Sequence, residues 1–296
     1  MVNAIMYHYV RPKDDWRGSV PIEPIEFERH IIKLRQKYSI IAPEHLHTKT
    51  DKPKCIITFD DATKDQYTIA FPILKKYDVP AYFAVMSGPL EQRRVPTFHL
   101  VHAVLSHFSD EEVWEELQKK YGPIDISGAD KYYGYEHNMF RKYNKFTLNI
   151  LLSELDSRAY LESKLQSTYK DLDAFIDDFY ISIDQLKEMN KAGMSLGVHC
   201  VNHLPYNNQP QKYYDEEIAP CKFFMEKKLG IVPRYYTPAF GGGVYYNNML
   251  KNLTKLLREN GIINGFAINN ENNIMNDFWI SRIDCNHLEE FFYNNE

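Results

Sequence analysis

Apolar residues recur along this chain in two alternating rhythms. Short runs rich in β-branched and aromatic residues occupy residues 4–9 (AIMYHY), 54–59 (KCIITF), 81–86 (AYFAVM), 194–198, 234–237, 265–268 and 278–283. Each has the length of a buried strand. Between them the apolar spacing switches to three and four, as in Ile69, Ala70, Ile73, Leu74 and Tyr77 of residues 66–77, in Leu186 and Met189 leading to Lys191, and in residues 215–229. That spacing predicts helices with one apolar face. Ser182 and Gln185 form a capping box at one start, and Gly193 and Gly230 supply stops. Pro72 predicts a kink early in the 66–77 helix. Strand, helix and strand within residues 54–86 make a βαβ unit, so the sheet is expected to be parallel.

The rhythm stops between about residues 88 and 180. Ser109 and Glu112 form a second capping box, with Val113, Trp114, Leu117 and Tyr121 on one face behind it, and residues 148–172 predict one or two more amphipathic helices. The intervening GADKYYGYEHNMF reads as loop. Residues 88–180 are therefore expected to be a helical insertion in a single α/β domain spanning 1–296. A chain of 296 residues fits one α/β barrel, typically about 250 residues with room for insertions.

Composition narrows the class. Lys and Arg number 35 against 40 Asp and Glu, a net charge of −5, which excludes a strongly basic nucleic-acid binder. Hydrophobic residues at 44% and charged residues at 25% exclude disorder as the main state. The opening MVNAIMYHYVRPKDDW lacks the basic and apolar regions of a secretory signal, and no apolar run approaches the length of a membrane span. Cys55, Cys200, Cys221 and Cys285 form no CxxC pair and are too sparse for a disulfide framework. A reduced, cytoplasmic protein is expected. The one skewed quantity is the 22 tyrosines, which suit either core packing or a stacking surface for a flat ligand.

Chemistry gathers where strands end. Thr58-Phe59-Asp60-Asp61 closes the 54–59 strand, His199-Cys200-Val201-Asn202-His203 follows the 194–198 strand, and Pro238-Ala239-Phe240-Gly241 follows the 234–237 strand. In parallel α/β folds these carboxyl ends build the site. An acidic pair closing an apolar strand needs a cation or hydrogen bonds to offset its desolvation, whereas Asp14-Asp15 and Asp177-Asp178 read as solvated charges. Helix capping by Asp61 is the structural alternative. Two histidines and a carboxylate suit Zn²⁺ or a similar divalent ion with positions open to water and substrate. Cys200 rather than Glu follows His199, and Leu204-Pro205 follows His203, so this is a loop-borne pair and not a zincin helix. Asp61 is the natural third donor.

These three segments together resemble the NodB-type polysaccharide deacetylases, carbohydrate esterase family 4. Their motifs T-F-D-D-G, H-S/T-x-x-H and R-x-P-Y/F-G stand here as Thr58 to Ala62, His199 to His203 and Tyr236 to Gly241. The flanks FPILKKYDVPAYF and LKEMNKAGMSLGVH are similar too, and the resemblance covers roughly residues 1–90 and 180–284. The opening MYHYV resembles members acting on surface-polysaccharide or lipopolysaccharide intermediates. The resemblance implies a distorted (β/α) barrel and a metal-dependent hydrolase that removes an acetyl group, N-acetyl foremost, from a sugar of a surface polysaccharide, a lipopolysaccharide or a precursor.

It further implies that Asp61, His199 and His203 hold a divalent metal, Zn²⁺ foremost with Co²⁺ or Ni²⁺ as alternatives. Asp60 is then the general base, Arg282 orients it, and a backbone N–H near Ala239 or Phe240 completes an oxyanion hole. Pro238, Phe240, Tyr236 and Tyr206 are expected to contact an acetylated carbohydrate. The late L-x-H motif that supplies the family's acid is not evident, His287 has unmatched spacing, and His8 at the end of the first strand is taken as the supporting or acid residue. Three departures stand out. Ala62 replaces a glycine, so the backbone there is expected not to need a positive φ. Cys200 replaces a hydroxyl residue that would hydrogen-bond locally, and because a thiol is only a weak donor the loop is expected to be less rigid. Tyr236 replaces the arginine of the third motif. Two other functions remain open at this point: a barrel that has lost catalysis and binds carbohydrate, and a metal-dependent hydrolase of a non-sugar amide.

Overall fold

The computed structural model describes residues 2–242, 244–268 and 277–289. Among them eight strands, all parallel, form one sheet: β1 (Val2–Tyr7), β2 (Ser39–Ile40), β3 (Lys54–Phe59), β4 (Ala81–Met86), β5 (Ser195–Cys200), β6 (Tyr235–Tyr236), β7 (Asn264–Ile268) and β8 (Trp279–Asp284). Their order is β1-β8-β7-β6-β5-β4-β3-β2, and a further β1–β3 pairing closes the ring. The barrel therefore has seven strands, with β2 outside the ring. One edge of β3 is shared: its first residues pair with β2 and its last three with β4. The expected (β/α) barrel is thus what the chain adopts, and the strands at 54–59 and 81–86 match residue for residue.

A closed ring gives each strand residue an inward or an outward side, alternating along the chain. Ala4, Ile56, Tyr82, Ala84, Tyr235 and Phe266 form the inner cluster, with Ile41 beside them. Their neighbours Ile5, Tyr7, Ile57, Phe59, Phe83, Val85, Val198 and Ala267 face outward into a larger core shared with helices. Phe27, Ile31 and Leu34 of the helix Pro24–Lys37 and Met249, Leu250, Leu253 and Leu257 of the helix Tyr246–Glu259 cover that outer side. Neither helix was anticipated: neither opens on a side-chain cap, and the stop after the second, Gly261 with φ 84°, was not read from the sequence.

Of the expected capping boxes, Ser109 forms its half by accepting from Glu112 N–H. The Ser182 capping box is complete, and Gly193 and Gly230 hold the left-handed conformations that stop their helices. Pro72 does not kink a helix: the chain first makes a wide turn over Gln66–Ala70, and Pro72 lies in the first turn of the regular helix Phe71–Lys76, where its missing N–H leaves no bond unmade.

The chain divides into two compact units. One, comprising residues 1–10, 22–94 and 179–296, carries the barrel; the other comprises residues 11–21 and 95–178. The second is helical. Thr97–His107, Asp110–Tyr121, Met139–Phe146 and Glu154–Leu165 bury Leu100, Val104, Val113, Leu117, Phe146 and Leu161. Arg141 pairs with Asp110 at 2.9 Å there, and the Asn144 side chain donates to the Asp110 carbonyl at 2.7 Å. The stretch expected as loop instead forms two helices, Ala129–Tyr133 and Met139–Phe146, the second capped by Asn138. Tyrosine and glycine are weak helix formers, but burial of Ala129 and Phe146 outweighs that local preference. Among the described residues, no helix is long and apolar enough to cross a membrane.

The inner face leaves no room at Gly197. A Cβ there would lie 2.4 Å from Tyr82 Oη and 2.8 Å from the Tyr235 carbonyl oxygen. Gly197→Ala is expected to destabilise the barrel by about 1–3 kcal/mol, as overpacked cores do, measured by urea denaturation. A stability equal to wild type would mean that the interior is not packed as described.

Candidate active site at the carboxyl mouth of the barrel

The inward series of four strands runs upward into polar residues. On β3 it reads Ile56, Thr58 and then Asp60; on β5, Ser195, Gly197 and His199; on β8, Ile280 and Arg282; on β1, Ala4, Met6 and then His8. The β1–β3 register pairs Tyr7 with Phe59, and Asp60 N–H donates to the Tyr7 carbonyl at 3.1 Å, which brings His8 beside Asp60. Parity alone thus gathers Asp60, His199, Arg282 and His8 at one mouth.

Asp60 is fully enclosed, and Arg282 Nη1 donates to both of its carboxylate oxygens at 2.7 and 2.8 Å. Burial by itself pushes the Asp60 carboxyl up, but the Arg282 guanidinium, with smaller help from His199 and His8, holds it below the usual carboxylate range. A depressed folded value means that this pair stabilises the fold above about pH 4 and loses its contribution as pH falls through the lowered value. His8 Nε2 stands 3.6 Å from Asp60 Oδ2, with its side chain 42% exposed. Gln66, buried, donates its Nε2 to the carbonyls of both Asp60 and His8 at 2.5 and 2.8 Å, and so ties the two strand ends together.

Asp61 leaves the strand and turns to the other side of the mouth. Its φ is 73° and that of Ala62 is 54°. The expectation that Ala62 needs no positive φ was incorrect: both residues sit in the left-handed region without being glycine, at a cost of about 1–2 kcal/mol each. The Ala62 carbonyl accepts from Ile181 N–H at 3.0 Å, and Thr63 bridges to Tyr180, so the turn is held by its neighbours. Asp61 Oδ1 then lies 3.2 Å from His199 Nε2 and 3.8 Å from His203 Nε2. All three donor atoms fall within 4.8 Å of one another, buried or nearly so. His199 Nδ1 shares a 2.8 Å hydrogen bond with the Thr237 carbonyl, which turns Nε2 toward Asp61. Burial pushes the His199 imidazole down, but the Asp61 hydrogen bond and the charges of Asp60 and Asp61 raise it above its ordinary value.

The remaining expected contacts divide. Phe240 is 43% exposed, and its ring meets His203 edge to face at 4.5 Å. Pro238 is buried beside it. Tyr206 is half-buried against Tyr213, with ring centroids 5.3 Å apart. Tyr236 is fully buried with its ring facing Trp279, outside the barrel wall, and cannot touch a substrate at the mouth. Parity explains this: Tyr235 takes the inward position of β6, so Tyr236 points out. Tyr246 is likewise buried, its hydroxyl bonded to the Ile268 backbone. The tyrosine surplus therefore serves packing more than a stacking platform in this unit. Cys200 occupies an outward position and is fully buried, its thiol pushed well above the usual range by burial. His287 is exposed.

Three supporting residues were missed. Gln66 and Thr237 act through or upon backbone carbonyls, for which sequence carries no signal. Glu217, with two of the His-loop amides on one oxygen, was hidden among the charges of an amphipathic helix.

The family model described as "Polysaccharide deacetylase" matches residues 47–125 and 161–263 of this chain. No curated protein matches it in sequence. Among solved structures, IcaB from Ammonifex degensii is similar over 98% of this chain and 94% of its own, with a TM-score of 0.57 at 16% identity. The deacetylase PplD of Streptococcus pyogenes, in complex with acetate, is similar over 100% and 98%, with a TM-score of 0.56 at 18% identity. A de-N-acetylase from Aggregatibacter actinomycetemcomitans is similar over 95% and 94%, with a TM-score of 0.54 at 14% identity. At such identities these likenesses are of fold.

Removing one half of the Asp60–Arg282 pair strands a buried charge. Arg282→Met is expected to cost about 3–5 kcal/mol, and Asp60→Asn in the same chain to recover part of it. Denaturant titration of the two single variants and the double variant tests this, and strictly additive losses would rule the coupling out.

Proposed function

The chain belongs to the polysaccharide deacetylase family, hydrolases that remove acetyl groups from sugars, and we propose that its substrate is an N-acetylated sugar of a surface polysaccharide, a lipopolysaccharide or a precursor of either. The reading is carried by one arrangement: a guanidinium-paired carboxylate, Asp60, beside a convergent carboxylate and two imidazoles, Asp61, His199 and His203, at one barrel mouth.

Asp61, His199 and His203 fit a divalent cation by donor chemistry and by spacing, and nitrogen donors favour zinc, with cobalt or nickel as substitutes. When bound there, the cation supplies Lewis-acid polarisation of the acetyl carbonyl and a lowered pKa for the attacking water. The chain's own residues do the rest. Asp60, held ionised by Arg282, takes a proton from the water as its oxygen bonds to the carbonyl carbon. Backbone N–H groups near Ala239 and Phe240 stabilise the negative charge that develops on the carbonyl oxygen. His8, half-exposed and 3.6 Å from Asp60, then protonates the sugar nitrogen as the C–N bond breaks. Acetate and a free amine leave. Phe240, exposed against His203, borders the space a sugar ring would take. The four cysteines are free, which supports a reducing compartment such as the cytoplasm.

The test is acetate release from N-acetylated and O-acetylated sugar oligomers. Chelation is expected to abolish release, and added Zn²⁺, Co²⁺ or Ni²⁺ to restore it. Asp60→Asn is expected to lower turnover at least about 100-fold, the usual loss for a general base, while metal content is kept. Because binding must displace a proton from the raised His199 imidazole, metal affinity is expected to rise with pH through neutrality. A metal-loaded wild type that releases nothing from any acetylated sugar would sink the catalytic reading and favour a binding barrel.

A further inference from the structure

His203 reaches its place by an unfavourable route. It lies three residues beyond β5 with φ 59°, in the left-handed region that costs a non-glycine residue about 1–2 kcal/mol. Something must hold it there. On one side the loop is pressed against the chain after β4: Ser87 and Gly88 N–H donate to the carbonyls of Cys200 and Val201 at 3.1 and 3.0 Å. A Cβ on Gly88 would lie 2.3 Å from that Val201 oxygen, so only glycine permits the contact. On the other side stands the helical stretch 210–229. Glu217 is buried at 1% exposure, and its Oε2 accepts from the N–H groups of Asn202 and Leu204 at 2.9 and 3.3 Å. One turn earlier on the same face, Tyr213 donates its hydroxyl to the Leu204 carbonyl at 3.3 Å. The two amides that meet at one Glu217 oxygen flank His203 on either side. A backbone that relaxed His203 to negative φ would swing at least one of them away.

We propose that Glu217 is the positioning residue of the metal site: by gathering the amides on both sides of His203 it fixes that imidazole in the left-handed, ligand-ready conformation, and Tyr213 assists it. This rests on the reading of Asp61, His199 and His203 as the metal site. It also accounts for Cys200. A thiol is a weaker hydrogen-bond partner than a hydroxyl, and a carboxyl from the neighbouring helix adds a strong acceptor for the loop amides.

The experiment compares wild type, Glu217→Ala and Glu217→Gln by two measurements: Zn²⁺ affinity by chelator competition, and amide hydrogen exchange of the metal-free protein. Glu217→Ala is expected to weaken Zn²⁺ binding by about 10–100-fold, the usual effect of losing an outer-shell partner. It should speed exchange selectively at Asn202 and Leu204, while amides of β3 and β4 keep their protection. Glu217→Gln retains an acceptor oxygen but a weaker one, and is expected to fall between the two. A merely structural role would speed exchange throughout and leave the affinity of the folded fraction unchanged, which overturns the proposal, as does a folded alanine variant matching wild type in both measurements. If the alanine variant does not fold, the glutamine variant decides, and its identity with wild type in both measurements overturns the proposal. A wild type that takes up no Zn²⁺ refutes the metal reading itself. The two amides still report whether Glu217 holds the loop.

Discussion

Closing a parallel sheet into a ring leaves each strand residue two directions, and the site depends on that restriction more than on any single contact. The interior of a seven-strand ring is filled by side chains such as Ile56, Tyr82, Tyr235 and Phe266. Nothing polar can sit there without a partner. Where the inward series passes the last apolar layer, the next inward positions are Asp60 on β3, His199 on β5 and Arg282 on β8. These are the first places where charge can meet charge and the edge of solvent. Shifting any of these strands by one residue would exchange its polar end for an outward apolar residue, so core packing and site assembly are enforced by the same register.

Left-handed backbone does what the strands cannot. Straight continuation of β3 and β5 would alternate sides again, carrying Asp61 and Cys200 away from the mouth. Positive φ at Asp61, Ala62 and His203 turns the chain so that two further side chains join the cluster. Each such residue is strained, and the restraint comes from outside: Ile181 and Tyr180 against the Asp61-Ala62 turn, and the chain after β4 with the 210–229 stretch against the His loop. Strain of this kind gathers at sites because surrounding packing over-determines it.

Most of the barrel was legible because its signals are local. The strands at 54–59 and 81–86, the capping box at Ser182 and the stops at Gly193 and Gly230 are each decided within a few residues. The acidic pair and the histidine pair were legible because their residue types are costly at a strand end unless they bind something. Tyr236 was misplaced because motif alignment carries no side: only the burial of Tyr235 inside the ring decides that Tyr236 points out. The left-handed turn at Ala62 was missed for the opposite reason, since the residue that tolerates it best, glycine, is absent. Helices at Ala129–Tyr133 and Met139–Phe146 were hidden by poor local propensity and exist through packing. Gln66 and Glu217 were invisible because they recognise backbone groups, which every residue carries.

Two adjacent aspartates end with different partners, and that difference gives one barrel mouth two carboxylates of different character. Asp60 keeps the side that strand parity gives it and meets Arg282, a cation that cannot lose its proton. Its carboxyl is therefore held below the usual carboxylate range and ionised at neutral pH. Asp61, turned by its positive φ, meets two imidazoles instead, which can give up their protons. Were both carboxylates on one side, their mutual repulsion would raise one of them and blur the division. The backbone between them separates the charges, and the choice of Arg282 for one and His199 with His203 for the other sets which carboxylate stays paired within the protein and which can exchange protons for a cation.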